Sequence, residues 1–209
     1  MTAIVDYGVG NLFSLQSSFA AIGEEACVTA DAQTLRRADR VVLPGVGAFG
    51  DAVAKLESTG LIPVLRELAA AGVPMLGICL GMQLMFEKSM EYGEHEGLAF
   101  FPGTVVPIAD AIPAGLKIPH MGWNALHFRG EKHPLLRYVS EGDCVYFVHS
   151  YYAAHCDAVV IATAEYGAPI TAAAAKGSVM GCQFHPEKSG AVGLSILRAF
   201  CEMKRGALC

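Results

Sequence analysis

Val73-Pro74-Met75-Leu76-Gly77-Ile78-Cys79-Leu80-Gly81-Met82-Gln83 is the stretch that decides how this chain folds. The apolar run Val73–Ile78 follows Gly72 and has the length of a buried strand, and Leu80–Met90 has the pattern of a helix that starts immediately after it. Cys79 stands at the junction with glycines two residues to either side, the G-x-nucleophile-x-G form of a nucleophile elbow. A tight strand-to-helix turn brings backbones together, so side chains at 77 and 81 would collide. At a helix N-terminus, unpaired N–H groups and the dipole favour the thiolate. The backbone N–H of Leu80 is a candidate oxyanion donor. Gln83 lies four residues after Cys79, on the same helix face. Taken alone, the pentapeptide also suits a small apolar cysteine packed among glycines.

Outward from this turn, short β-rich runs alternate with amphipathic stretches. Ala3–Asp6 is expected as a strand. Asn11–Ile22 is expected as a helix carrying Leu12, Leu15, Phe19 and Ile22, closed by Gly23. Arg40–Leu43 runs into a glycine loop, with helices expected over Ala48–Ser58 and Leu61–Ala71. From Phe100 to Val179 the pattern changes to strands with Pro and Gly turns. The runs 104–108, 123–128, 144–151, 159–165 and 170–175 are expected to extend the same sheet in antiparallel fashion. A strand at Val179–Phe184 and a helix over Ala191–Met203 close the chain. The expected fold is α/β: a single domain over residues 1–209, with a mixed, mainly parallel central sheet, helices on both faces and an antiparallel extension.

Composition narrows the function. The 209 residues hold 15 Lys plus Arg against 20 Asp plus Glu, a net charge of −5. An acidic surface argues against nucleic acid or an anionic membrane as partner. The longest mostly apolar stretch, Val73–Phe86, falls short of the ~18 residues a membrane span needs. The N-terminus lacks the basic and apolar regions of a secretory signal. The seven cysteines include no C-x-x-C pair, which points to reduced thiols in the cytoplasm.

A nucleophilic cysteine needs a base, and the base needs an orienting group. His185-Pro186-Glu187 supplies both. Proline disfavours helical geometry at His185, and in an extended chain positions 185 and 187 face the same way. The same parity puts Gln183 on the His185 face and turns Cys182 and Phe184 toward the core. By itself the tripeptide is equally compatible with a turn holding a surface ion pair.

Pro44-Gly45-Val46-Gly47-Ala48-Phe49-Gly50 contains G-x-G-x-x-G, but it does not open the first strand–helix unit. The nearest acid, Glu67, falls within an expected helix, so dinucleotide binding is disfavoured. Backbone N–H groups at Val46 or Gly47 are instead candidates to complete an oxyanion hole. Cys182 and His185 have ligand-like spacing without a second ligand pair, so no metal is expected, and no P-loop or other cofactor motif occurs. His120, Trp123 and His149 are further candidates, with half-buried polar packing as the alternative.

The ordered motifs Pro-Gly-Val-Gly (44–47), Gly-Ile-Cys-Leu-Gly-Met-Gln (77–83) and Phe-His-Pro-Glu (184–187) resemble class I glutamine amidotransferases, whose fold is flavodoxin-like, along the whole chain. Within that class, Asp6–Leu12, Lys117–Asn124, Tyr146–Tyr151 and His185–Ser189 resemble the glutaminase subunits of imidazole glycerol phosphate synthases. The resemblance implies that Cys79 attacks the side-chain amide of L-glutamine, His185 moves protons and Glu187 orients His185. It implies substrate binding by Gln83, with Gly47, Ser150 and Tyr151 completing the pocket. It also implies a heterodimer with a (β/α)8-barrel cyclase that takes the ammonia for histidine and purine synthesis. Asn11, on the expected sheet edge, Trp123 and Lys188 are the expected partner-facing residues. Alternatives are the glutaminase subunit of another amidotransferase, a free-standing γ-glutamyl hydrolase, or a nucleotide-binding module with an incidental cysteine.

Overall fold

The computed structural model describes residues 1–206; Cys209 lies outside them. Strand and helix alternate through β1 (Thr2–Val5), α1 (Leu12–Ala21), β2 (Ala26–Thr29), α2 (Ala32–Arg37), β3 (Arg40–Leu43), α3 (Phe49–Ser58), α4 (Ile62–Ala70), β4 (Met75–Ile78) and α5 (Leu80–Gln83). Strands then dominate: β5 (Phe86–Ser89), β6 (His95–Glu96), β7 (Phe101–Pro107), β8 (His120–Ala125), β9 (His127–Phe128), β10 (Cys144–His149), β11 (Tyr151–Ala154), β12 (Val160–Glu165) and β13 (Pro169–Lys176). The last unit is β14 (Val179–Cys182) followed by α6 (Gly190–Cys201).

The main sheet has the order β2-β1-β3-β4-β14-β13-β12-β9. Its first five strands are parallel and its last three antiparallel. Strands β1, β4 and β14 are buried at every residue, which is why, Thr2 apart, they appear as apolar runs without alternation. One face packs on α1 and α6 through Leu15, Phe19, Ile196, Leu197 and Phe200. The other packs on α2, α3 and α4 through Leu35, Phe49, Leu56, Leu65 and Leu68. The mixed sheet with helices on both faces is thus as expected. No helix among the described residues is long and apolar enough to cross a membrane.

Two expectations are corrected. The antiparallel extension consists of β13, β12 and β9 alone, whereas β8 and β10 form a separate two-stranded ribbon and β11-β7-β5-β6 a separate four-stranded sheet. Phe101, Val105 and Ala153 of that smaller sheet pack into the same core as Phe49 and Leu56, so it lies over the main sheet instead of continuing it. The helix expected over Leu80–Met90 ends at Gln83. Backbone N–H groups of Leu98 and Phe100 donate to the carbonyls of Leu84 and Met85 (2.8 Å each), capturing the chain for β5. Phe86 then packs on Phe101, with ring centroids 5.2 Å apart.

In open sheets of this kind ligands bind beyond the carboxyl ends of the strands. Here those ends deliver Tyr7 after β1, Pro44–Gly47 after β3, Cys79 after β4 and His185 after β14 to one edge.

Candidate active site

Cys79 adopts φ 53°, ψ −111°, outside the ordinary regions for a side-chain-bearing residue, and its N–H donates to Cys182 O (2.8 Å), extending the β4–β14 ladder by one rung. The flanking glycines are demanded by distance. A Cβ on Gly77 would lie 2.7 Å from the Gly81 carbonyl oxygen, and one on Gly81 would lie 1.8 Å from the Leu43 carbonyl oxygen. The turn after β3 packs equally close, since a Cβ on Gly45 would fall 2.8 Å from the Gly81 nitrogen. Tyr7 Oη donates to Pro44 O (2.7 Å) and pins that turn. Burial, and secondarily the nearby Cys79, push the Tyr7 phenol well above its usual range.

His185 is extended, and Pro186 then starts a single 3-10 turn over Pro186–Lys188, so Glu187 reaches the imidazole by a turn and not along a strand. His185 Nδ1 lies 2.8 Å from Glu187 Oε1. Because a carboxylate only accepts, Nδ1 carries the proton and Nε2 is free for Cys79, with no closed hydrogen bond between them. Burial lowers the basicity of His185, but Cys79 and Glu187 more than offset it and raise the imidazole to about 9. The backbone is held too: His185 N–H donates to Tyr146 O (2.9 Å), and Ser189 Oγ donates to His185 O (2.6 Å) while accepting from Tyr146 N–H (3.0 Å).

These groups meet at a cavity of about 330 Å³. Val46, Gly47, Cys79 and Leu80 line one part, and Gln83, Ser150, Tyr151 and His185 another, with Lys188 also on its wall. Leu80 is the first residue of α5, so its N–H has no partner within the helix. Gln83 Nε2 donates to Tyr151 O (3.0 Å) and to Gln183 Oε1 (2.9 Å), and Gln183 Nε2 reaches Cys79 Sγ at 3.7 Å. Gln183 is a site residue that the motifs did not single out, though strand parity put it on the His185 face. Glu91 is another: it lines the cavity, and its Oε2 accepts from Phe49 N–H (2.7 Å) at the start of α3. It follows the segment expected as helix, where periodicity carries no sign of a site.

Cys182 and Phe184 are fully buried in the core that packs on α1 and α6, and burial pushes the Cys182 thiol far up. Gly50 sits in the first turn of α3 against the His95 ring, where an added Cβ would lie 2.7 Å from His95 Cε1. His120 and His149 form a buried pair (Nδ1 to Nε2, 3.0 Å), and burial lowers them to about 4 and about 3. Trp123, 57 % exposed, is not a core residue. Its ring packs edge-on to Tyr146 (6.2 Å), over which Lys188 Nζ also lies (5.9 Å). Asn11 is exposed and caps α1 by accepting from Ser14 N–H (3.3 Å). The first turn of α1 borders Pro186 and Glu187 across a shallower pocket.

Comparison with known proteins fits this geometry. The sequence model of the family "Glutamine amidotransferase class-I" matches residues 3–203. The chain is 48 % identical to "Imidazole glycerol phosphate synthase subunit HisH" of Lactococcus lactis, over 95 % of this chain and 96 % of that one. It is 47 % identical to the protein of the same name from Geobacter sulfurreducens, covering 97 % and 98 %. Among solved structures, a "glutamine amidotransferase" superposes with a TM-score of 0.74 at 17 % identity over 96 % of this chain and 97 % of that one, which shows a shared fold. From strand order to elbow to sequence, the chain belongs to the class-I glutamine amidotransferase family, among its HisH subunits.

Proposed function

We propose that this chain hydrolyses L-glutamine to L-glutamate and ammonia, and hands the ammonia to a cyclase subunit that makes imidazole glycerol phosphate for histidine biosynthesis. The observation that carries the chemistry is Cys79 and His185 on the wall of the cavity at the sheet's carboxyl edge, with Glu187 Oε1 2.8 Å from His185 Nδ1. Near-full-length identity to HisH subunits supports the pathway.

The Cys79 thiol passes its proton to His185 Nε2, and the thiolate attacks the glutamine side-chain carbonyl, forming a C–S bond and an oxyanion. Leu80 N–H, with Val46 or Gly47 N–H, receives that charge, a reading supported by all three residues lining the cavity. As the C–N bond breaks, His185 gives its Nε2 proton to the departing nitrogen and ammonia leaves. His185 then takes a proton from water, which attacks the thioester; the C–S bond breaks and its electron pair returns to sulfur. Glu187 keeps the imidazole in the tautomer both steps need. Glu91, with Gln83 Oε1, Ser150 and Tyr151, supplies polar groups for the substrate's charged amino-acid end. The thiolate and the imidazole account for each proton moved in these steps.

The ammonia would leave past Lys188 toward a (β/α)8-barrel cyclase docked over Asn11, Trp123 and Lys188, giving a cytoplasmic heterodimer of one-domain glutaminase and barrel. The test is labelling with a diazoketone analogue of glutamine followed by peptide mapping, then glutaminase assay with and without a cyclase subunit. Label on Cys79 and acceleration by the cyclase are expected. Label on another residue rejects the nucleophile, and full activity alone points to a free-standing hydrolase.

A further inference from the structure

The amide chain beside the nucleophile has only one consistent polarity. A backbone carbonyl can only accept, so Gln83 must present Nε2 to Tyr151 O (3.0 Å), and its second N–H then goes to Gln183 Oε1 (2.9 Å). With its oxygen so occupied, Gln183 must turn Nε2 toward Cys79 Sγ, 3.7 Å away. His149 fixes the far end, because its Nδ1–H donates to the same Tyr151 carbonyl (2.9 Å) and its Nε2 accepts from His120 Nδ1–H (3.0 Å). Gln183 is completely buried and Gln83 nearly so. Water therefore competes poorly for these amides, and neither can flip without setting N–H against N–H or oxygen against oxygen.

The elbow needs such a donor. Helix α5 is a single turn, so aligned peptide dipoles give the sulfur little stabilisation. A hydrogen bond to an anionic sulfur is charge-assisted and is much weakened once the sulfur is esterified.

Resting on the assignment of Cys79 as nucleophile, we propose that Gln183 is a further catalytic residue, whose amide N–H stabilises the Cys79 sulfur while it is anionic and is aimed there by Gln83 and the Tyr151 carbonyl. It acts on the resting thiolate and again when the electron pair returns to sulfur as the glutamyl thioester is hydrolysed. Gln83 thereby has a second role: besides meeting substrate it positions Gln183.

The test uses the full chain without glutamine and iodoacetamide as a small electrophile, with the rate of Cys79 alkylation read by peptide mapping at fixed neutral pH. Gln183→Met, similar in size but without the donor, is expected to slow Cys79 alkylation about tenfold. Gln83→Met is expected to slow it by a smaller factor, and the double variant to match Gln183→Met alone, since both act through one N–H. In the glutaminase assay with cyclase, Gln183→Met lowers kcat more than it raises KM. Wild-type alkylation in folded Gln183→Met overturns the proposal, as does full slowing by Gln183→Met with none by Gln83→Met. If Gln183→Met does not fold, Gln183→Leu and Gln83→Met carry the same readings. Labelling of wild type at Cys79 by the diazoketone is the independent control: if that fails, the nucleophile assignment is lost, whereas its success with unchanged Gln183 variants refutes the donor alone.

Discussion

Glu187 Oε1 and His185 Nδ1 meet at 2.8 Å with both side chains sealed from solvent, at 2 % and 3 % exposure. In such a place the carboxylate accepts from Nδ1–H and so keeps that proton on Nδ1. Three substitutions separate the roles. Cys79→Ala should abolish glutamine hydrolysis with the fold retained, a drop of about 10⁴-fold or more in kcat. His185→Asn should cost about 10²–10⁴-fold. Glu187→Gln should cost less, because the base survives and only its orientation and charge support are lost. Steady-state kinetics with the cyclase present measures all three; Glu187→Gln slower than His185→Asn would reverse the assignment.

Gln83 lines the cavity together with Cys79. Removing its amide by Gln83→Ala should raise KM for glutamine by about tenfold. An unchanged KM would take Gln83 out of the substrate site.

Stability should depend on pH from both sides. Burial holds His120 near 4 and His149 near 3, against 6.5 when free. The unfolded chain then binds protons the folded chain refuses, so their contribution is full above pH 6.5 and is lost as pH falls toward 4. His185, burial notwithstanding, is raised to about 9 by Cys79 and Glu187. Its contribution is full below pH 6.5 and is lost as pH rises through 9. Thermal unfolding followed across this range should give a maximum near pH 6.5. His149→Gln should flatten the acid limb and Cys79→Ala the alkaline limb; parallel curves for all three proteins would refute the linkage.

Lys188 is the last residue of the turn that carries Glu187, and it lies over Tyr146, whose ring also meets Trp123. Lys188→Glu should weaken ammonia transfer or partner activation while sparing the fold. The measurement is the ratio of glutamine-dependent to ammonia-dependent synthesis in the reconstituted pair. Equal ratios for wild type and variant would clear Lys188 of a coupling role.

The parts of this molecule that local chemistry dictates are visible in its sequence. Gly77 and Gly81 announce the elbow because no other residue fits the close approach, and Pro186 announces the extended His185. Buried parallel strands stand out as unbroken apolar runs. By contrast, β2 is an edge strand that is mostly half-buried, and α2 is a six-residue helix with one buried residue, so neither stands out. The end of α5 depends on Leu98 and Phe100, more than a dozen residues further on, and no local periodicity encodes that competition. Gln83 and Gln183 are 100 positions apart, so their hydrogen bond emerges only when β14 settles beside β4.

Gly81 fits beneath the Leu43 carbonyl with no room for a single added carbon. For anyone re-engineering the enzyme, the turn and its supporting strand are one mechanical part. The atom at its tip can be exchanged, serine for cysteine, without disturbing that part, but its shoulders cannot be widened unless β3 moves as well. Libraries seeking new acyl donors should therefore diversify the far wall, at Glu91, Ser150 and Tyr151, and leave residues 43–47 and 77–81 untouched.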